Sequence, residues 1–531
     1  MLKYLLRRIL HGLVSIVLVV AIIMIIVYGL LSRDFIFQND ATYTKTSANA
    51  KEVYKNRRWA DYGYIVYVNY NDYLSELVLK GDLTQEKQSE LSKLSMTDDI
   101  VKRDFTVESD TDEVKTYVRK FVAEYQSKGF EIVRLRTRIN SRGEVQSGGN
   151  PYLYAVKDRN VFVRIWEFFT GLLTFDNIHY AQGKVENRGL TFTFFDPAYG
   201  GHTFAPAIMG NGTKHKYLLY FDGKFPYIHQ NLITVSLGTS YSISRGEDIF
   251  KTMTQSQGIL KYQETTFPTG YQEVDAIDIH TLTYAVGSNT SEYTALRFTD
   301  DYTQVENTKV ATSRIGFSFI IGIISVILAY LIAVPAGIYM ARKKDKLMDK
   351  IGTFYIVFIS AVPSLAYILM FKSIGQNMGL PGTFDVNAST FPYFVLPIVS
   401  STLPAIAGLM KWLRRYMIDQ MNSDYVKFAR SGGLSEGEIF TKHIFKNAAI
   451  PLVHGIPGTI LFCMVGGIIT ESVYVVPGTG KLLTNAINFY DNSVIVGVAF
   501  FYAIMSVTSL ILGDILMSMM DPRISFSTKG R

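Results

Sequence analysis

Cysteine is almost absent from this chain of 531 residues, since Cys463 is the only one. It lies inside a long apolar stretch, so the polar part of the chain can form neither a disulfide framework nor a cysteine-based metal site. A polar region of this kind must be stabilised by its hydrophobic core alone, and its length allows such a core.

Catalytic and nucleotide-binding motifs are also missing. Residues 478–481, Gly-Thr-Gly-Lys, resemble part of a phosphate-binding loop, but Leu482 follows where Ser or Thr is required, and Val475 replaces the first glycine. The sequence has no HExxH, no GxSxG and no kinase signature. Its histidines lack the spacing of metal ligands. We therefore predict that the chain is not an enzyme and itself holds no catalytic residue, cofactor or metal ion.

An excess of positive charge, +7 overall, is confined to part of the chain. Residues 32–313 carry 32 basic and 35 acidic side chains, so the excess belongs to the apolar remainder. Nucleic-acid binding requires a basic face on a folded domain. We therefore expect no nucleic-acid partner.

Long apolar runs, in contrast, are abundant. About 20 apolar residues in a helix cross the hydrocarbon core of a membrane, and six segments reach this length. They are residues 9–31, 315–340, 351–370, 391–410, 451–470 and 493–520. No small-x-small cleavage site follows the first run, so we interpret it as a retained anchor and not as a signal peptide. The sequence predicts a polytopic α-helical membrane protein with six transmembrane helices.

Lys and Arg are concentrated in one set of flanking loops. The N-terminal tip, residues 342–350, residues 411–446 and the tail after 521 hold 18 of them, whereas the two short opposite loops hold one each. The positive-inside rule then places both termini in the cytoplasm and residues 32–313 outside. The chain divides into a tip with the first helix (1–31), an extracellular domain (32–313) and a membrane core (314–531).

Residues 32–313, the inserted segment, show both helical and strand patterns. Apolar residues from Val114 to Tyr125 recur with helical spacing and predict an amphipathic helix that ends near Gly129. Residues 131–138 and 275–285 alternate like half-buried strands, which predicts an α+β domain. The apolar, aromatic residues 161–173 fit either a helix on the outer leaflet, with Trp166 at the headgroups, or a core helix.

The strongest functional signal is residues 411–450, between the fourth and fifth predicted helices. A simple connection between two membrane helices needs only a few residues, so a length of about 40 residues indicates a structured element. Apolar residues around Phe428 have helical spacing, and Gly432-Gly433 ends that helix. Ser435 and Glu438 form the capping box of a second helix. A short helix, a glycine break and a second helix predict a compact knob that fits a groove in another protein.

The sequence DYVKFAR in this knob resembles the coupling-loop signature of ABC-importer permeases in the oligopeptide/dipeptide branch, which reads roughly D-Y-V-x-x-A-R-x-x-G-L. The residues of this loop that the resemblance implies contact an ATPase are Asp424, Tyr425, Phe428, Ala429, Arg430, Gly433 and Leu434, of which Phe428 lies at an unspecified position of the signature. Other family motifs, for which we expect structural roles, contribute Pro335, Gly337, Pro363, Glu471, Pro477, Gly478, Gly480, Asp514, Asp521, Pro522 and Arg523. Together the matches extend over residues 310–526.

The resemblance implies the type I importer permease fold, with the chain forming half of a pathway for oligopeptides in the cell membrane of a Gram-positive bacterium. It also implies the partners. These are a second homologous permease, two cytoplasmic ATPases that bind ATP and Mg, a lipid-anchored extracellular peptide-binding protein, the peptide, and membrane lipid. The sequence departs from the pattern at Lys427 and Phe428, where the broader importer signature has Glu and Ala, and in the great length of the inserted segment.

The sequence gives less support to two other functions, a proton-coupled carrier and a membrane-anchored sensor. A proton-coupled carrier would place several carboxylates or histidines at mid-membrane. Apart from His11 near the start of the first helix, the carboxylates and histidines of the predicted helices are Asp514 and His454, and we expect each of these two to pair with a neighbouring helix. A sensor would carry a cytoplasmic output domain, but residues 411–450 are the largest cytoplasmic piece. A transporter that also supplies peptide-pheromone signalling remains compatible with the sequence.

Overall fold

The structure is a computed structural model that describes residues 2–46, 48–94, 112–135, 152–181, 185–221, 228–244, 246–284, 292–298, 303–388 and 390–520. Three residues of the predicted C-terminal motif, Asp521, Pro522 and Arg523, lie outside these ranges.

The helices fall into two groups, those that precede the membrane core and those within it. Those that precede the membrane core are α1 (Leu2–Ile25), α2 (Ala41–Lys45), α3 (Ala48–Asp61), α4 (Tyr70–Lys80), α5 (Gln85–Leu94), α6 (Asp112–Ser127), α7 (Val161–Gly171), α8 (Ile249–Thr254) and α9 (Glu292–Arg297). Those of the core are α10 (Arg314–Arg342), α11 (Leu347–Ala361), α12 (Ser364–Asn377), α13 (Phe391–Met421), α14 (Asp424–Ser431), α15 (Glu436–Glu438), α16 (Lys446–Val465), α17 (Ile468–Tyr474), α18 (Thr479–Asn488) and α19 (Asn492–Met520).

Five helices among the described residues are long and apolar enough to cross a membrane. They are Leu6–Leu30, Arg314–Arg342, Phe391–Met421, Glu436–Tyr474 and Asn492–Met519. A sixth crossing results if α11 and α12, which meet at 106°, are counted together. The prediction of a helical membrane protein is confirmed, with five to six membrane-spanning helices.

The third predicted helix, residues 351–370, is not continuous. Helix α11 ends at Ala361, Val362 is extended with φ −81° and ψ 130°, and α12 begins after Pro363. The ring of a proline disfavours helical geometry at the preceding residue, so Pro363 breaks the helix here. By contrast, Pro335 is accommodated inside α10.

Close packing of α10 against α13 forms the centre of the membrane core. Ala329 and Ala333 are fully buried in this region, and a Cβ on Gly337 would lie 3.2 Å from the Leu413 side chain. Small residues let membrane helices approach closely. The peripheral helix α1 packs against α19.

The inserted segment contains fifteen short strands among its described residues. They are β1 (Ile65–Asn69), β2 (Glu131–Leu135), β3 (Tyr152–Asp158), β4 (Leu173–Phe175), β5 (Gly189–Phe195), β6 (Phe204–Asn211), β7 (Tyr217–Phe221), β8 (Ile228–Gln230), β9 (Ile233–Val235), β10 (Ile259–Leu260), β11 (Gln263–Thr266), β12 (Gln272–Asp275), β13 (Thr283–Tyr284), β14 (Thr303–Gln304) and β15 (Lys309–Val310). The two larger sheets are antiparallel, with strand orders β1-β3-β2 and β5-β6-β7-β8.

The predicted amphipathic helix is confirmed as α6. Its Val118, Phe121 and Tyr125 are buried against α4 and the first sheet, and Gly129 follows the helix with φ +76°. Strand β2 likewise begins at Glu131, as predicted.

The predicted strand over residues 275–285 is wrong for most of its length, since only Asp275 and the β13 residues Thr283–Tyr284 lie in strands and residue 285 is outside the described ranges. Strand β12 ends at Asp275, and a 3-10 turn, Ile279–Thr281, follows with Asp278 as its N-cap. The Asp278 side chain accepts a hydrogen bond from the His280 amide at 3.0 Å. Such a cap offers the backbone a hydrogen bond other than those to a neighbouring β-strand. The apolar residues Ile277, Ile279 and Leu282 are nevertheless buried.

Helix α7 lies against the membrane helices with one face. Its Phe168 contacts Phe500 of α19 edge to face at 5.5 Å, whereas Trp166 is 71% exposed. Helix α7 therefore packs through one face and leaves apolar side chains exposed on the other, and both alternatives for residues 161–173 stay predictions.

Asp491 joins the inserted segment to the membrane core. Its carboxylate accepts hydrogen bonds from the hydroxyl of Ser240 (2.9 Å) and from the amides of Tyr241 (3.2 Å), Ser242 (2.9 Å) and Ile243 (3.3 Å). Because Asp491 is fully buried immediately before α19, these bonds fix the loop 240–243 to the start of that helix.

Candidate functional site

Residues 411–450, called the coupling segment from here on, are largely helical. Helix α13 continues to Met421, beyond the predicted end of the membrane helix at residue 410. Helix α14 follows, and Gly432 and Gly433 end it as predicted. The predicted capping box is present, since Ser435 Oγ accepts from the Glu438 amide at 3.3 Å. From α15 the chain continues through a π-helical stretch, Ile439–Phe445, into α16.

A hydrophobic base fixes α14 to the core. Val426 is fully buried, in one cluster with Met417 of α13 and Ile439 of the π-helical stretch. Ala341 at the end of α10 belongs to the same cluster. Interiors packed in this way transmit displacement because they deform little. A force on α14 therefore acts on several long helices at once.

Polar contacts add to this rigidity. Arg430 donates to both carboxylate oxygens of Glu436, at 2.6 and 3.2 Å, and so bridges the glycine turn. The Tyr425 hydroxyl lies 2.5 Å from Gln420 Oε1 and 3.0 Å from Asn447 Nδ2. These two residues of the predicted signature thus join α14 to the helices before and after it.

The outward face of α14 has an apolar centre. Phe428 is 80% exposed, and Tyr425 and Leu434 are exposed beside it. Charged groups surround them, among them Asp424, whose pKa is lowered by its 2.8 Å hydrogen bond with Lys427. An exposed aromatic anchor with a polar rim has the composition of a protein-binding surface.

Two small residues of the signature do not lie at this centre. Ala429 is buried against its own chain. Gly433 adopts φ +81°, with no atom within 4 Å of an added Cβ. Any side chain at Gly433 would therefore strain the backbone whether or not a partner is bound. Phe428 is the residue that offers contact area.

Sequence reasoning missed an ion pair that supports the coupling segment. Arg414 on the extension of α13 donates to both oxygens of Asp349 at 2.5 and 2.7 Å. Asp349 is buried in the first turn of α11 and also accepts from the Asp345 amide at 2.9 Å. The surplus of basic residues in this region was the only feature of the sequence that indicated such a pair. Arg414 and Asp349 are 65 residues apart, so no local spacing pattern connects them.

The Glu471 motif forms a carboxylate cradle, defined here as Glu471 with the glycines around it. Glu471 accepts from Ser318 Oγ at 2.7 Å and from the Lys481 amide at 3.0 Å. A Cβ on Gly478 would lie 2.3 Å from Glu471 Oε2, and one on Gly480 would lie 3.1 Å away. Half-buried Pro477 lies in the turn between α17 and α18. The glycines leave room for the carboxylate.

Asp514 and His454 were both predicted to pair with a neighbouring helix, and only one of these predictions is confirmed. Asp514 on α19 forms an ion pair with Arg8 of α1 at 2.8 Å, as expected. His454 Nδ1 is buried without a hydrogen-bond partner among the described residues, so the expected pairing is not found.

Comparisons with known proteins agree with these motifs. Residues 333–526 match the family described as binding-protein-dependent transport system inner membrane component. The chain is 35% identical to the oligopeptide transport system permease protein AmiC of Streptococcus pneumoniae, over 99% of each chain. It is 28% identical to the dipeptide transport system permease protein DppB of Lactococcus lactis, over 42% of this chain and 73% of that one. A crystal structure of an amino acid ABC transporter with histidines aligns at 15% identity and TM-score 0.30, over 39% of this chain and 90% of that chain. The chain therefore belongs to the oligopeptide/dipeptide branch of these inner membrane components, the non-catalytic permease subunits of ABC importers.

Proposed function

We propose that this permease forms half of an ATP-driven pathway that imports oligopeptides, with both termini in the cytoplasm and the inserted segment outside. A second homologous permease completes the pathway. Two cytoplasmic ATPases bind ATP and Mg, and a lipid-anchored binding protein delivers the peptide from outside. The similarity to an oligopeptide permease over 99% of both chains supports the substrate class.

The single observation that carries the coupling role is the exposure of Phe428 on a rigid base. The side chain points away from its own chain while Val426 and Ala429 of the same helix are buried. In the proposed complex Phe428 occupies a cleft of one ATPase, and closure of the ATPases on ATP displaces α14. The packed base passes that displacement to α10, α13 and α16, and the pathway opens to the other side.

Replacing Phe428 with Ala tests this role. The substitution removes an exposed ring, so the subunit should remain at normal abundance in the membrane. Loss of a central aromatic anchor costs about 2 kcal/mol or more in an interface, so peptide uptake and co-purification of the ATPase should both fall sharply. Phe391→Ala is the matched control, because Phe391 is 76% exposed at the opposite end of α13. Normal uptake by the Phe428→Ala variant would contradict the coupling role.

A further inference from the structure

Two cationic side chains, Arg314 and Lys481, lie at neighbouring helix ends. Arg314 is the first residue of α10, and its Nε is buried without a hydrogen bond. Lys481 lies half-buried in the first turn of α18. No ion pair within 4.0 Å joins either residue to a carboxylate of the described ranges.

A network of hydrogen bonds holds these two helix ends together. Ser318, one turn along α10 from Arg314, accepts from the Thr479 amide of α18 at 2.9 Å. The Ser318 hydroxyl and the Lys481 amide both donate to Glu471. Burial, followed by the charge of Arg314, lowers the pKa of Lys481.

This arrangement is unfavourable without an anion. Partly buried cations lose hydration, and the positive end of a helix dipole adds repulsion in the first turn. Glu471 partly offsets the charge of Lys481, but its oxygens already accept from Ser318 and the backbone. Glu247 attracts Arg314 without forming an ion pair and accepts from Gln255 Nε2 at 2.8 Å.

We propose that Arg314 and Lys481 bind the C-terminal carboxylate of the transported peptide. The proposal rests on the proposed function and names the part of the substrate that is recognised. A linear peptide carries this carboxylate whatever its side chains, so it is a feature that a transporter of varied cargo can use. A guanidinium matches a planar carboxylate with two parallel hydrogen bonds, and Lys481 adds a second positive charge.

The test uses the complete importer in its own membrane and one radiolabelled peptide, as the free acid and as the C-terminal amide. Initial uptake rates give an acid-to-amide ratio for the wild-type chain, Arg314→Gln, Lys481→Gln and the double variant. The binding protein is the same throughout, so a change in the ratio comes from the permease. Each neutral substitution should lower the ratio roughly tenfold, the factor for one charge-assisted hydrogen bond. Arg314→Lys and Lys481→Arg, which keep the charge, should retain most of the preference.

Two further readouts separate this role from a structural one. Neutralising an unpaired cation should leave the Tm of the detergent-solubilised complex equal or higher. A clear fall in Tm would show that the cations are paired structurally, and loss of the co-purifying second permease would show that a partner's carboxylate occupies the site. Either result, or an unchanged uptake ratio, would overturn the proposal. Absence of any uptake by the wild-type complex would instead refute the proposed function.

Discussion

At the scale of single residues, the carboxylate cradle shows why a sequence motif combines one acid with several glycines. Glu471 is nearly completely buried, and a buried carboxylate is costly unless it is hydrogen-bonded. The hydrogen bonds come from backbone amides and Ser318, which can approach only where no side chain intervenes.

Gly478→Ala should therefore destabilise the subunit. The added Cβ would lie 2.3 Å from a carboxylate oxygen of Glu471, and overpacking of this kind costs about 1–3 kcal/mol. The control is Gly455→Ala in α16, where nothing lies within 4 Å of the new Cβ. Thermal unfolding of both purified variants checks the prediction, and equal Tm values would contradict it.

His280 in the inserted segment should make stability depend on pH. Burial alone would lower its pKa, but hydrogen bonds with Asp196 at 2.8 Å and Asp278 at 3.0 Å outweigh burial and raise the pKa from 6.5 to about 9. The stabilisation is complete below pH 6.5 and is lost as pH rises through about 9. The difference in pKa corresponds to roughly 3 kcal/mol in the free energy of unfolding.

Unfolding of the full-length chain in detergent at pH 7 and pH 10 measures this effect. Wild type should lose stability at pH 10, and His280→Gln should lose less between the same two pH values. A His280→Gln variant with the wild-type pH dependence would assign the effect to other groups.

At the scale of elements, sequence patterns predicted the features that depend only on neighbouring residues. The glycine break, the capping box of Ser435 and the helix α6 all depend on residues within a few positions of one another. Hydropathy predicted one crossing over residues 351–370 because it cannot distinguish a straight crossing from two helices at 106°. The inward direction of Ala429 could not be predicted because it depends on the cluster formed by α10, α13 and the π-helical stretch.

The ion pair of Arg414 and Asp349 supports the coupling segment as an element. Removing one partner of a buried pair leaves an uncompensated charge and costs about 3–5 kcal/mol. Arg414→Met should therefore lower the thermal stability of the subunit, whereas Arg415→Met, at the exposed neighbouring position, should not. The double variant Asp349→Asn/Arg414→Met should recover most of the loss. If it does not, the two residues do not act as a pair.

At the scale of the whole molecule, the inserted segment packs against the membrane core and shares hydrogen bonds and a hydrophobic cluster with it. Asp491 holds the loop 240–243, and Leu237, Ile249 and Met253 pack in one cluster with residues of α19. The sequence could not show this, since more than 240 residues separate the partners. In the proposed complex, a binding protein docked on the inserted segment would contact a surface fixed to the last membrane helix.

In the proposed complex, Phe428 contacts an ATPase on the cytoplasmic side. The chain allows a direct test because Cys463 is its only cysteine. In a Cys463→Ala background, Phe428→Cys and Phe391→Cys are each labelled with a benzophenone maleimide in native membranes that contain the importer. Illumination then lets the benzophenone insert into a C–H bond of whatever protein lies beside the labelled position. We predict a cross-link to the ATPase from position 428 and none from position 391. A cross-link from position 391, or none from position 428, would contradict this contact.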